Sequence, residues 1–168
     1  QAGRQLNSFH QAYPQVGKYL SAPENQTGAA LMLTIKDGFT QMKLPPLQWN
    51  QSGKYIIRVK AAAYENDPER FRYLEFTRRI DQSTQRLGWR KVTGSLRKPD
   101  TIEFEIDHPP GMKAGYIVHK RTHEDRGDKN LWTIYRDENG YGTPWGIWVD
   151  WVEIEGPIAP SVKEGRYE

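Results

Sequence analysis

The chain is predicted to be all-β, an antiparallel β-sandwich or jelly roll. Three observations lead there. Seven to nine short segments alternate apolar and polar residues, turn residues separate them, and helical periodicity is almost absent. Hydrophobic residues make up only 36%, but aromatics reach 12%, with six Trp and nine Tyr. Large rings fill a core where aliphatics are few, since each buries a large area.

The elements follow in order. Residues 1–28 are polar with scattered Gly, Pro and Asn, and read as an irregular N-terminal arm. "AALMLTIKDGFTQMKL" reads as a hairpin: two strand-like runs flank Asp37-Gly38, a favoured two-residue turn, and Pro45-Pro46 ends the second. "SGKYIIRVKAAA" is the clearest strand. Tyr55, Ile57, Val59 and Ala61 face one way, and Ile56, Arg58 and Lys60 the other. "FRYLEFTRR" follows the loop "YENDPER", and "GWRKVTGSL" is a weaker strand. "DTIEFEIDHPPG" alternates Ile102, Phe104 and Ile106 with Glu103 and Glu105, then stops at Pro109-Pro110-Gly111. "AGYIVHKRT" and "LWTIYR" are two more strands, and "GIWVDWVEIEG" closes the module at Gly156-Pro157. The module therefore spans 29–158, with 159–168 as a linker tail to a further domain. The start at Gln-Ala-Gly, without Met, reads as a processed chain or a fragment.

Composition removes several function classes. The absence of Cys excludes disulfides, thiolate metal sites and a Cys nucleophile. A net charge of +3, from 24 Lys+Arg against 21 Asp+Glu, is mixed, so nucleic acid is not expected as a partner. No apolar run is long enough to span a membrane. No nucleophile elbow, phosphate loop or dinucleotide fingerprint occurs, so the chain is not expected to be an enzyme. Glu103 and Glu105 share one strand face, which marks a solvated side rather than a catalytic pair. His119 and His123 have the i, i+4 spacing of a helical zinc pair, but they fall on a strand end and a charged loop without the accompanying Glu, and read as surface residues.

Three loops could supply oxygen ligands to calcium: "YENDP", "DRGDKN" and "RDENGYG". The same residues also serve ordinary turns. Tyr64, Tyr141 and Trp145 in or beside these loops, with Trp49 elsewhere, are candidates for stacking on sugar rings; packing at the core or rim is the other reading. Trp148 and Trp151 lie within the closing strand, and their spacing of three is expected to put one of them in the core.

"GKYIIRVKAAAYENDPER", "TIEFEIDHPPG" and "GIWVDWVEIEGPI" together resemble a β-sandwich domain of large secreted multidomain proteins of unknown function. Those proteins are abundant in Planctomycetes and often carry a cytochrome c-like domain. The resemblance covers residues 50 to 158. More distantly the layout resembles the calcium-dependent, galactose-binding-like carbohydrate-binding modules. Their closing strand is of the Asn-x-Asp-Tyr/Trp-Ile type; Asp150 and Trp151 fall at its Asp and aromatic positions, and Trp148 stands where those modules have a sugar-contacting Asn. The resemblance implies a secreted or periplasmic location and possible use of calcium, with Asp150 and Asp137 as ligands.

The functional expectation is a non-catalytic carbohydrate-binding module of a larger secreted protein. Tyr64, Tyr141 and Trp145 would stack on a polysaccharide or glycan. Asn66, Asp67, Asp137 and Asn139 would hold its hydroxyls. The rival is a structural module that docks neighbouring domains or a redox partner, and a glycoside hydrolase is third.

Overall fold

The computed structural model describes residues 2–5, 29–31, 41–64, 69–120 and 146–158. Among these, nine strands form two antiparallel sheets. The strands are β1 (Ala2–Gln5), β2 (Ala29–Leu31), β3 (Gln41–Lys43), β4 (Gly53–Ala63), β5 (Tyr73–Ile80), β6 (Ser83–Lys91), β7 (Asp100–His108), β8 (Gly115–Lys120) and β9 (Ile147–Glu155), and a 3-10 turn occupies Glu69–Phe71. One sheet runs β1-β9-β4-β7, with β2 also paired to β9, and the other runs β3-β8-β5-β6.

The expected β-sandwich is present, and period-two alternation builds it. From the first sheet, Tyr55, Ile57, Val59 and Ala61 of β4, Ile102, Phe104 and Ile106 of β7, and Val149, Val152 and Ile154 of β9 enter one core. Leu74 and Phe76 of β5 with Tyr116 and Val118 of β8 enter it from the second. Each fully buried aliphatic or ring contributes about 1.5–3 kcal/mol as an upper bound on area grounds. Glu103, Glu105 and Asp107 alternate outward and are exposed, as a solvated face requires.

β9 carries the main departure from plain alternation. Lys60 pairs with Trp151, but Ala61 pairs with Val149, so Asp150 is the extra residue of a β-bulge. The bulge restores phase: Val149 and Val152, three apart, both reach the core. Trp148 and Trp151 are thereby placed together on the outer face, in register with Ala62 and Lys60. As their spacing predicts, one of the two is buried, though outside the cluster shared by the two sheets. Trp148 is buried, at 1% exposure, and Trp151 is half-buried.

Two other sequence expectations change. The described outer ends of the runs on either side of Asp37-Gly38, Ala29–Leu31 and Gln41–Lys43, do not pair with each other. β2 pairs with β9 in one sheet and β3 with β8 in the other, so long-range pairing overrides the local turn signal. The strand expected from Gly88 instead begins at Ser83, and pairs with β5 across a tight turn at Asp81, whose φ of 53° an Asp tolerates. Ala2–Gln5, within the arm read as irregular, is the strand beside β9. "LWTIYR" and Asp37-Gly38 lie outside the described residues.

Candidate functional site

Of the residues singled out in the sequence, Asn66, Asp67, Asp137, Asn139, Tyr141 and Trp145 lie outside the described residues. Their segments are anchored together, however. Ala63 at the end of β4 pairs with Ile147 at the start of β9. Tyr64, which leads into one loop, and Gly146, which ends the other, therefore leave the same end of the sandwich. Tyr64 is buried at 6% exposure and Asp150 at 8%. Among the described residues no group of three or more His, Asp or Glu is placed to hold a metal ion. Trp49 is exposed at 65%, in the loop after β3, and its carbonyl accepts a hydrogen bond from the Gly111 N–H at 3.3 Å.

A second constellation lies on the outer face of the β3-β8-β5-β6 sheet. Registers align two rows of side chains across all four strands. In one row Gln41 pairs with His119, His119 with Glu75, and Glu75 with Trp89. In the next, Lys43 pairs with Ile117, Ile117 with Thr77, and Thr77 with Arg86. Three inter-strand spacings make each row roughly 14 Å long.

Glu75 is the centre of the first row. It falls between Leu74 and Phe76, both core residues, so alternation sends it to the other face. It is only 1% exposed. Its Oε2 lies 3.4 Å from Arg86 Nε, and its Oε1 lies 3.6 Å from His119 Nε2. Among the described residues that second oxygen has no hydrogen-bond partner. A buried carboxylate oxygen left unpaired is costly, and such groups concentrate where a ligand or proton completes them. Beside it, Trp89 is 48% exposed on the edge strand. The row thus grades from a buried acceptor to an open ring within one cross-strand step.

Sequence reading missed Trp89, Glu75, Arg86 and His119 as a group. One signal was available: a carboxylate inside the apolar run "YLEF", and a lone Trp in the polar strand "STQRLGWRK". Only the register shows that the two are neighbours.

No family model matches the chain, and no curated protein matches it. Several solved structures resemble it in fold. A carbohydrate-binding module of Cellvibrio mixtus lichenase 5A, in complex with cellotriose, is 15% identical over 71% of this chain and 66% of that one, with a TM-score of 0.36. The C-terminal carbohydrate-binding module of LamC, a marine laminarinase from Zobellia galactanivorans, is 13% identical over 93% of this chain and all of that one (100%), with a TM-score of 0.43. An isomalto-dextranase of Arthrobacter globiformis T6, complexed with panose, is 14% identical with a TM-score of 0.49; the match covers 91% of this chain and 23% of that enzyme. No side chain of the site is carried over from them. No helix among the described residues is long and apolar enough to cross a membrane.

Proposed function

We propose that the chain is a non-catalytic carbohydrate-binding module of a larger secreted protein. The observation that supports this best is the Gln41-His119-Glu75-Trp89 row. It sets a half-exposed aromatic ring beside a buried carboxylate that fixes Arg86 and His119 around it. The carbon–hydrogen face of a sugar stacks on an indole, and its hydroxyls donate to a fixed carboxylate. Binding rather than bond cleavage is favoured because the two rows hold one carboxylate, whereas glycoside hydrolysis uses a pair flanking the scissile bond.

The second contact surface in this reading is the loop end at Tyr64 and Gly146. There Asn66, Asp67, Asp137, Asn139, Tyr141 and Trp145 would meet the same polysaccharide. Calcium is part of the proposal through Asp150, a buried acid on the bulge at that end, with Asp137 as its companion. The ion would supply a positive centre for loop oxygens and ligand hydroxyls.

The test is affinity electrophoresis and titration calorimetry of the chain against plant and algal polysaccharides, with calcium and with a chelator. Retardation in at least one gel, weakened by Trp89→Ala, is the expected result. No binding to any polysaccharide in either condition would overturn the reading. Exposed Trp49 and Met112, at 65% and 41%, favour a second reading in which that end docks a neighbouring domain.

A further inference from the structure

The charges of this chain are segregated. Nine of its 24 Lys and Arg fall within residues 70–98, where the only acids are Glu75 and Asp81. That segment carries β5, β6 and the turn after them. The outer face of the second sheet accordingly shows exposed Lys43, Arg79 and Arg86 around the buried Glu75, while Lys91 at its end is paired with Glu69. The outer face of the first sheet is of the opposite kind. Glu103, Glu153 and Glu155 surround Arg58 there at 3.1–3.3 Å, and Glu105 lies 3.5 Å from Lys54. With Lys60 on it as well, that face is mixed with an excess of acids, so a balanced composition conceals one face that is mainly cationic and one that is not.

We propose that the glycan bound on the second-sheet face is anionic, bearing carboxylate or sulfate groups. This rests on the carbohydrate-binding reading and names its ligand class. Lys43 and Arg86 end the second row and Arg79 lies one row beyond it, so a chain stacked on Trp89 would carry its acid groups past Arg86, Arg79 and Lys43. Glu75 holds Arg86 at 3.4 Å and keeps its guanidinium at the rim, where 46% of the side chain is exposed. The arrangement favours a glycan over a nucleic acid. A single-stranded nucleic acid stacks successive bases on several rings. Among the described residues this face has one exposed ring, Trp89.

The experiment titrates the chain with neutral β-glucan and galactan, with polygalacturonate, with carrageenan, and with single-stranded DNA, at low salt and at ~0.2 M salt. The acidic polysaccharides are expected to bind at least about tenfold tighter than the neutral ones at low salt, with the gap narrowing as salt rises. Whichever of polygalacturonate and carrageenan binds tighter identifies the acid group. Lys43→Gln with Arg79→Gln should remove most of that preference, because both side chains are exposed and neither contacts Glu75. Lys54→Gln, on the opposite face, should leave it intact. Arg86→Gln is the weaker probe because it also strips Glu75 of its partner. Equal affinity for neutral and acidic glycans, or a preference unmoved by salt and by the Lys43/Arg79 pair, would overturn the anionic assignment while leaving the glycan reading standing. Tighter binding of DNA than of every glycan, or binding of no glycan at all, would overturn both.

Discussion

The Phe76 ring of one sheet lies flat on the Phe104 ring of the other, with centroids 4.3 Å apart and planes 2° from parallel. Arg90 closes over Phe104 from the edge strand, its Cζ 4.7 Å from the ring centroid. The two sheets are therefore joined through one aromatic stack near the β6–β7 edge. Phe104→Ala should cost about 3–5 kcal/mol, and Phe104→Leu far less, since volume rather than ring chemistry carries most of the term. Urea unfolding of the two variants measures the difference.

Gly156 tests the closing turn. Its φ is +151°, and a Cβ there would lie 2.5 Å from Tyr55 Cδ2 and 2.8 Å from the Lys54 carbonyl oxygen. Tyr55 cannot easily yield, because its ring is in the core and its hydroxyl donates to the Gln51 carbonyl at 2.6 Å. Gly156→Ala should destabilise by about 2–5 kcal/mol, combining overpacking with backbone strain. Gly88→Ala should cost less. Its φ is +155°, but the nearest atoms are the Phe104 ring edge at 3.0 Å, which a small shift relieves. A thermal melt of each variant gives the order.

A buried polar chain crosses the same core. His108 Nε2 donates to the Gln48 carbonyl at 2.9 Å, because that oxygen can only accept. Nδ1 lies 2.9 Å from the Tyr116 hydroxyl, which accepts from Arg78 Nε at 3.1 Å and so has its own proton to give. Tyr116→Phe leaves buried His108 Nδ1 unmatched and takes one partner from half-buried Arg78, and should cost about 1–3 kcal/mol by equilibrium unfolding.

Alkali should act on the same residues. Burial raises Tyr116 above the ordinary value of 10.0, and burial with Tyr116 nearby raises Tyr55. Above pH 10 the unfolded chain releases these protons before the folded one does. The unfolded state then binds fewer protons, and stability falls as pH rises. The contribution is intact below pH 10 and is lost as pH climbs through the folded values. Melting temperature followed from pH 8 to 11 should drop at the upper end, and a Tyr55→Phe, Tyr116→Phe double variant should show a shallower drop.

Much of the fold was legible because alternation is a local property. "KYIIRVKA" and "TIEFEID" state their buried faces residue by residue, and both pair in register over nine positions. What local pattern could not state was partnership. Asp37-Gly38 advertises a hairpin, but its flanking strands serve different sheets. The spacing of Trp148 and Trp151 foretells one buried ring but not the face it takes, since a bulge at Asp150 is a relation between β9 and β4. The charge balance also hid its arrangement. Totals of 24 Lys and Arg against 21 Asp and Glu say nothing about which sheet carries each until strand order is known. Glu75 and Trp89 are fourteen positions apart in sequence and become neighbours only through the β5–β6 register.

That register makes the last prediction sharp, because Trp89 and Trp148 should fail in opposite ways. Trp89 is 48% exposed on an edge strand, so Trp89→Ala removes little buried area and should leave the melting temperature nearly unchanged. It does remove the stacking surface beside Glu75, and glycan affinity should fall by about 1–2 kcal/mol, roughly 5–30-fold. Trp148 is 1% exposed beside Ala62, so Trp148→Ala should cost about 3–5 kcal/mol of stability. At a temperature where the Trp148 variant is still folded, its affinity for the second-sheet face should be that of the parent chain, since Trp148 lies in the other sheet. Calorimetric titration beside thermal melts separates the two effects. A Trp89 variant that binds as tightly as the parent would move the contact surface to the Tyr64–Gly146 end. There Tyr141→Ala and Trp145→Ala become the variants that must lose affinity.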